Sequence, residues 1–292
     1  MSHSIPQHPL GEVFGFPPDN QSARAVRYRQ HRLCPFNNRV ANCTKDKAND
    51  PLGVCSVLDR DGHLAVTCPV RFRQDWLITD DAAQFFFSPG ATWTTLNEVR
   101  LDDRHGRSAG NIDLVLVAYN QRGQVVDFGA LEVQAVYISG NIRRPFEAYM
   151  QDPLHQADMD WSGARNYPRP DYLSSSRKRL VPQLIYKGGI LKAWGKKQAV
   201  VLHHSFFNTL PELTTVPPET ADMVWLVYDL EPGEEQYQLR LHQVVHTRFS
   251  PALDRIITPE PGPVDQFVTV LQEKLDAKLE HPPDAPTLAD LL

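Results

Sequence analysis

No apolar run among the 292 residues approaches the roughly 20 that a membrane-spanning helix needs. The opening Met1-Ser2-His3-Ser4 lacks the basic and then apolar layout of a secretory signal. These two absences lead to the expectation of a cytoplasmic protein with no membrane partner. An excess of one charge is also missing: 30 Lys and Arg stand against 35 Asp and Glu, a net charge of −5. That balance argues against a global basic field but not against nucleic acid, since a nuclease carries acidic ligands and needs only a local basic face. Cysteine is scarce, with four in the chain, and no internal repeat is visible. What remains is ordinary: 41% hydrophobic and 22% charged residues, and enough length to bury a sizeable core.

The positive charge is uneven. Arg24, Arg27, Arg29, Arg32, Arg39, Lys45 and Lys47 are opposed only by Asp46 within their stretch. A second run is Arg177-Lys178-Arg179, with Lys187, Lys192, Lys196 and Lys197 after it. Each run reads either as solvated surface or as a phosphate-binding face.

Residues 1–30 are Pro-rich and then basic, with little periodicity, and residues 31–75 hold all the cysteines among Pro, Asn and Gly. Regular structure is expected to start near Trp76, which divides the chain into an N-terminal arm with a cysteine module, 1–75, and a core, 76–292. Ile112 to Tyr119 is nearly all apolar or β-branched, Asn120-Gln121-Arg122-Gly123 supplies a turn, and Val125 to Ile138 resumes the run, which predicts a central β-hairpin. Pro145 to Arg169 reads as irregular. Leu180 to Lys197 has helical spacing, with Leu184, Ile185, Leu191 and Trp194 on one side. Ala199 to Phe207 and Met223 to Leu230 read as buried strands, and a further helix is expected from Val264 to Leu279. Strands mixed with helices predict an α/β fold.

Cys34, Cys43, Cys55 and Cys68 fall within 35 residues, separated by gaps of 8, 11 and 12. Two disulfides are disfavoured in a reducing compartment. Four thiolates can close a tetrahedral site around zinc or iron, and the metal then replaces a core for a small loop-rich module. The gaps fit no common zinc finger, so unrelated buried cysteines are the competing reading.

The strongest chemical signal is Asn111-Ile112-Asp113-Leu114-Val115 followed by Leu131-Glu132-Val133-Gln134. An acid inside an apolar strand is costly to bury without a cation. Glu132 and Gln134, two apart on a strand, share one face, and a hairpin brings Asp113 beside it. Two carboxylates in that arrangement suit Mg2+, which can activate water and neutralise a phosphate under attack. Gln134 cannot accept a proton, but can orient water or donate to a phosphate oxygen. Glu98, expected on an upstream helix, is a candidate further carboxylate or else an ordinary surface residue. By spacing alone, the D…E-x-Q pattern also arises by chance in sheets.

Taken together, Cys34-Pro35-Phe36, Cys43-Thr44-Lys45, Gly53-Val54-Cys55-Ser56-Val57, Cys68-Pro69, Gly129-Ala130-Leu131-Glu132-Val133-Gln134, Tyr186-Lys187 and Trp225-Leu226-Val227-Tyr228-Asp229-Leu230-Glu231-Pro232 resemble the NotI-type restriction endonucleases, a branch of the PD-(D/E)XK nuclease superfamily. The resemblance covers most of residues 30–235. It implies a mixed central sheet flanked by helices, and a homodimer that cuts double-stranded DNA at a GC-rich palindrome with Mg2+. It matches Asp113, Glu132 and Gln134 to the family's catalytic positions, with the Val133 carbonyl as a further Mg2+ ligand, and sets Glu98 where relatives carry an acid. It also implies an iron atom on Cys34, Cys43, Cys55 and Cys68. The implied reaction is in-line attack by an activated water, leaving a 5′-phosphate and a 3′-hydroxyl.

Candidates for DNA contact are Arg24, Arg27, Arg39 and Lys45, then Arg143 and Arg144, then Arg177, Lys178 and Arg179. Arginine forked onto guanine is the commonest base contact, although phosphate contacts are more numerous. The alternatives are a repair or mobile-element nuclease, and a metal-stapled DNA-binding protein without catalysis.

Overall fold

The structure is a computed structural model that describes residues 8–47, 49–59 and 61–280. Pro282 to Leu292, the Pro-rich tail, lies outside the described residues apart from what its sequence shows. The chain divides into two compact units, Met1–Ile257 and Thr258–Leu292. In the second, Val264–Glu280 is a 17-residue helix with Val264, Phe267, Val268, Leu271, Leu275 and Leu279 along one side. Among the described residues no helix is long and apolar enough to cross a membrane.

The first unit is built on a six-stranded sheet. Its strands are β1 (Trp93–Asp102), β2 (Ser108–Tyr119), β3 (Val125–Gln134), β4 (Gln198–His203), β5 (Met223–Glu231) and β6 (Gln238–Thr247). Their spatial order is β6-β5-β4-β3-β2-β1. The first three form an antiparallel meander, β3, β4 and β5 run parallel, and β6 returns antiparallel on β5. The mixed α/β class expected from the sequence is present as this sheet flanked by helices.

Period-2 alternation in the inner strands fills both sides. Ala199, Val201, Val224, Leu226 and Leu131 face helix α1 (Leu77–Phe86), packing with Ile78, Ala82 and Phe86. A Cβ on Gly129 would stand 2.4 Å from the Phe86 ring, so only glycine lets β3 lie this close to α1. Val200, Leu202, Trp225 and Val227 face the other side, with Leu180 and Leu184 of helix α2, residues 172–193. Within α2, Ser176–Leu180 and Leu184–Gly188 are π-type turns. They flank Pro182, which has no N–H and whose ring clashes with the carbonyl four residues earlier, so the usual ladder cannot run through.

The N-terminal segment is more ordered than its sequence suggests. Leu10–Val13 pairs with Val54–Leu58, which pairs with Leu64–Val66, and Ala23–Gln30 is a helix capped by the Ser22 side chain. Regular structure therefore begins well before Trp76. This segment is braced by a buried ion pair between two of its own residues, one of which also reaches the rest of the unit. The Arg71 Nε donates to Glu12 Oε1 at 2.9 Å, both side chains being fully buried. The other guanidinium nitrogens donate to Gln74 Oε1 and the Tyr237 carbonyl, and Ser56 donates to Glu12.

Three further expectations are corrected. Glu98 lies on β1, not on a helix; Trp93 to Asp102 alternates along its length, and this period overrides the modest helix propensity of its ends. Pro145 to Arg169 is not wholly irregular, because Arg143–Gln151 is a helix that buries Pro145, Phe146 and Tyr149. On α2, Ile185 and Trp194 are exposed; the buried stripe is Leu180, Leu184, Lys187 and Leu191.

Candidate active site

The hairpin of β2 and β3 pairs Leu116 with Gly129, Val115 with Ala130, and Leu114 with Leu131, and there its ladder ends. The next residues in the same register are Asp113 and Glu132. Beyond this point the strands part company. Ile112 and Asn111 stay paired with β1, whereas Glu132, Val133 and Gln134 stay paired with Val200, Val201 and Leu202 of β4. A fork thus opens between two inner strands, and the two acids stand at its crotch.

Backbone groups freed at a fork need partners when they are buried. The Val133 N–H donates to Asp113 Oδ2 at 2.8 Å. On the other prong, the Asn111 carbonyl accepts from Lys187 Nζ at 2.8 Å. The same ammonium donates to Glu132 Oε2 at 2.6 Å, and both side chains are about 5% exposed. The other carboxylate oxygen, Glu132 Oε1, is buried with no hydrogen-bond donor. Burial first, and then the Asp113 carboxylate, push the Glu132 pKa up to about 8, while the Lys187 ammonium works in the opposite direction.

An orphaned carboxylate oxygen beside a second carboxylate is costly unless a cation faces it. That donor set, all oxygen and half-enclosed, fits a hard divalent ion such as Mg2+. Gln134 follows two residues after Glu132, is buried, and turns its amide onto the Ala135 carbonyl. Glu98 stands in register with Asp113, since its neighbours Asn97 and Val99 pair with Leu114 and Ile112. Its φ of 54° interrupts the ladder there, and its exposed carboxylate lies 3.7 Å from Arg39.

Lys187 is the member that sequence reading passed over as part of a basic run. It is 55 residues from Glu132 along the chain, and no local motif links them. The usable signal was its place on the apolar stripe of α2, between Leu184 and Leu191, where a solvated lysine does not belong. Gly188 lets the helix come down here, for a Cβ would stand 2.5 Å from Phe249 and 2.9 Å from the Gln198 side chain.

The four cysteines are all free, and three of them are buried. Burial raises the Cys34 pKa to about 11, and neighbouring Cys68 and Cys43 add to it. Cys43 is raised by burial and by Cys68, and Cys55 well above its usual value by burial and then by Cys68. The backbone N–H groups of Phe36 and Asn37 reach the Cys34 sulfur, and that of Lys45 reaches Cys43. The sulfurs are not drawn tight, however. Among the described residues, the triad of potential ligand atoms lying within 4.8 Å of one another is Asp59, Asp61 and His63. Four clustered thiols, whose thiolates alone would repel one another, with backbone donors aimed at two of them, still suit a soft cation, which would convert them to thiolates.

The basic candidates separate into two groups. Arg143 is bound to Asp46 and Asp50, Lys45 to the Val54 carbonyl and Thr67, and Arg24 to Glu235 and the faces of Phe16 and Tyr28. Arg144 lies over Trp161, and Arg179 stacks 4.1 Å from the centre of the Tyr137 ring. Arg27, Arg177 and Lys178 are exposed and have no ion-pair partner among the described residues.

No curated protein sequence matches the chain. A protein-family comparison does: residues 20–241 match the family described as Restriction endonuclease NotI, which spans the cysteines, the forked strands and the stripe of α2. The chain belongs to the NotI restriction endonuclease family, whose members are type II site-specific deoxyribonucleases acting on double-stranded DNA.

Proposed function

We propose that the protein is a Mg2+-dependent type II restriction endonuclease that makes double-strand breaks at a GC-rich palindrome as a homodimer. The observation that carries the metal-dependent reading is Glu132 Oε1, a buried oxygen without a donor, set beside Asp113 at the strand fork. In this reading the sheet with α1 and α2 is a PD-(D/E)XK core over residues 76–292. Residues 1–75 are an arm stapled by a metal, iron or zinc, on Cys34, Cys43, Cys55 and Cys68.

Asp113, Glu132 and the Val133 carbonyl would hold Mg2+, which when bound lowers the pKa of water and neutralises charge on the phosphate. Asp113 is kept in place by the Val133 amide, so its second oxygen is left to the ion. Glu132 offers Oε1. Gln134 would turn its amide toward water or a phosphate oxygen, having no proton to take or give as a base. Glu98 would serve as an auxiliary acid by leaving Arg39 for the fork. Water attacks the phosphorus in line, the P–O3′ bond breaks, and the products are a 5′-phosphate and a 3′-hydroxyl.

Arg27, Arg177 and Lys178 are the side chains with most freedom to meet phosphate. Digestion of a sequenced, unmethylated genome with Mg2+, followed by end mapping, tests the whole reading. Discrete palindromic ends with 5′-phosphates are expected. Random ends would point to a repair or mobile-element nuclease. Binding without cutting, in Mg2+ as in Ca2+, would leave a DNA-binding protein with structural acids.

A further inference from the structure

The fork raises a physical question that its two acids do not answer. Their carboxylates repel one another, and each is carried on a strand that diverges from the other. Something must hold the prongs at one separation and aim the free oxygen of Glu132.

Lys187 touches both prongs. Its ammonium donates to the Asn111 carbonyl, two residues before Asp113 on β2, and to Glu132 Oε2 on β3. The carbonyl has lost its place in the hairpin ladder, and the carboxylate oxygen is the one turned away from its unsatisfied partner. The lysine comes from a third element, the π-type turn Leu184–Gly188 of α2. It is 4% exposed, with its stem against the region of Gly110, so its ammonium is withheld from solvent and spent on these two partners. A carboxylate can turn about its last side-chain bond. Gripping Oε2 removes that freedom and leaves Oε1 pointing into the fork.

We propose that Lys187 is a positioning residue for the divalent-ion site: it fastens the two strand prongs together and presents Glu132 Oε1 for coordination. The cation thus reaches the acids from a helix, while the strand position two residues after Glu132 is occupied by neutral Gln134. The inference rests on Asp113 and Glu132 being the ion's ligands, and its test separates the two claims.

The test measures binding of Mn2+ alone to the full chain, without DNA, by electron paramagnetic resonance. Wild type is compared with Lys187→Gln, Lys187→Arg and Asp113→Asn, with folding of each checked by circular dichroism. Groups that orient a metal ligand typically contribute about 10–100-fold to affinity. Lys187→Gln should therefore bind Mn2+ at least about tenfold more weakly, and Lys187→Arg should recover part of the loss because it keeps charge and donors. Unchanged or tighter Mn2+ binding in folded Lys187→Gln would overturn the positioning role, even if that variant melts earlier. Should Lys187→Gln not fold, Lys187→Arg decides: its longer fork displaces the ammonium site, so affinity equal to wild type overturns the proposal. Asp113→Asn tests the underlying assignment, and Mn2+ binding unaffected there would remove the carboxylate site itself.

Discussion

The amide of Val133 donates to the carboxylate of Asp113 across 2.8 Å, so the backbone of one acid-bearing strand holds the acid of the other. The contact stands where a ladder hydrogen bond would have been had the hairpin continued. It makes the relative placement of Asp113 and Glu132 a property of the sheet, and it gives Asp113 a structural duty beside the chemical one proposed for it.

Those duties come apart under substitution. Asp113→Asn retains an oxygen that can accept from Val133, and should keep a melting temperature close to wild type. Asp113→Ala leaves that amide unpaired and should cost about 1–3 kcal/mol. Both should reduce Mg2+-dependent plasmid cleavage by more than about 100-fold, since a ligand is lost and not only its support. Chemical denaturation and a plasmid relaxation assay measure the two effects. Cleavage by Asp113→Asn within a few-fold of wild type would remove Asp113 from the chemistry.

Glu132 predicts a pH dependence of the metal-free protein. Its pKa rises from an ordinary 4.5 to about 8 on folding, through burial and the nearness of Asp113. The folded state therefore binds a proton more tightly than the unfolded chain. That contribution to stability is fully present below pH 4.5 and is lost as pH rises through about 8. In EDTA, wild type should lose stability between pH 5 and 8 relative to Glu132→Gln, which cannot ionise. Parallel stability curves for the two proteins would show that Glu132 is not held protonated. Divalent metal should flatten the wild-type curve, because its binding expels the proton.

The Arg71–Glu12 pair should dominate the internal bracing of the N-terminal segment. Both partners are fully buried, and five hydrogen bonds from or to them reach Gln74, Tyr237 and Ser56 as well as each other. Removing one partner leaves a bare charge, and Arg71→Met should destabilise by about 3–5 kcal/mol. The double variant Arg71→Met with Glu12→Gln should lose less than the sum of the single changes, as coupled partners do. Urea denaturation of the four proteins closes the cycle, and simple additivity would contradict a direct pair.

Freedom from ion pairing sorts the basic residues into those able to meet DNA and those already engaged. Arg177→Ala and Lys178→Ala should each weaken binding to any sequence and lower the salt slope of log affinity by about 1. Arg143→Ala should act differently, through loss of its bridges to Asp46 and Asp50, with stability falling and the salt slope little changed. Fluorescence anisotropy in Ca2+ at several salt concentrations reads both. An unchanged slope in Arg177→Ala and Lys178→Ala together would place the DNA elsewhere.

The hairpin carrying the two acids was legible in the sequence because its information is local. Ile112 to Tyr119 and the run after Val125 are β-branched and apolar, and Asn120 to Gly123 can only turn. The buried strands β4 and β5 were legible for the same reason, although β4 stops at His203 and His204–Phe207, expected to continue it, is a short helix. Glu98 was misplaced on a helix, since the alternation of β1 is set by Trp93 packing on the α1 cluster and by Val99 and Leu101 packing with Leu191 of α2, a tertiary demand. Likewise Ile185 and Trp194 looked like core by spacing, yet the π-type turns of α2 rotate the stripe toward Leu180, Leu184, Lys187 and Leu191.

By itself, then, the sequence determined which residues are the candidates for the chemistry: the acid in an apolar strand, its E-x-Q partner and four clustered cysteines, because these depend on residue type and short spacing. Only the tertiary structure decided that the acid-bearing strands fork, that Val133 and Asp113 close one side of the fork, and that Lys187 closes the other. Those relationships join segments 20 and 55 residues apart. Chain separations of that length are set by how helices pack on a sheet, and no local pattern of side chains encodes them.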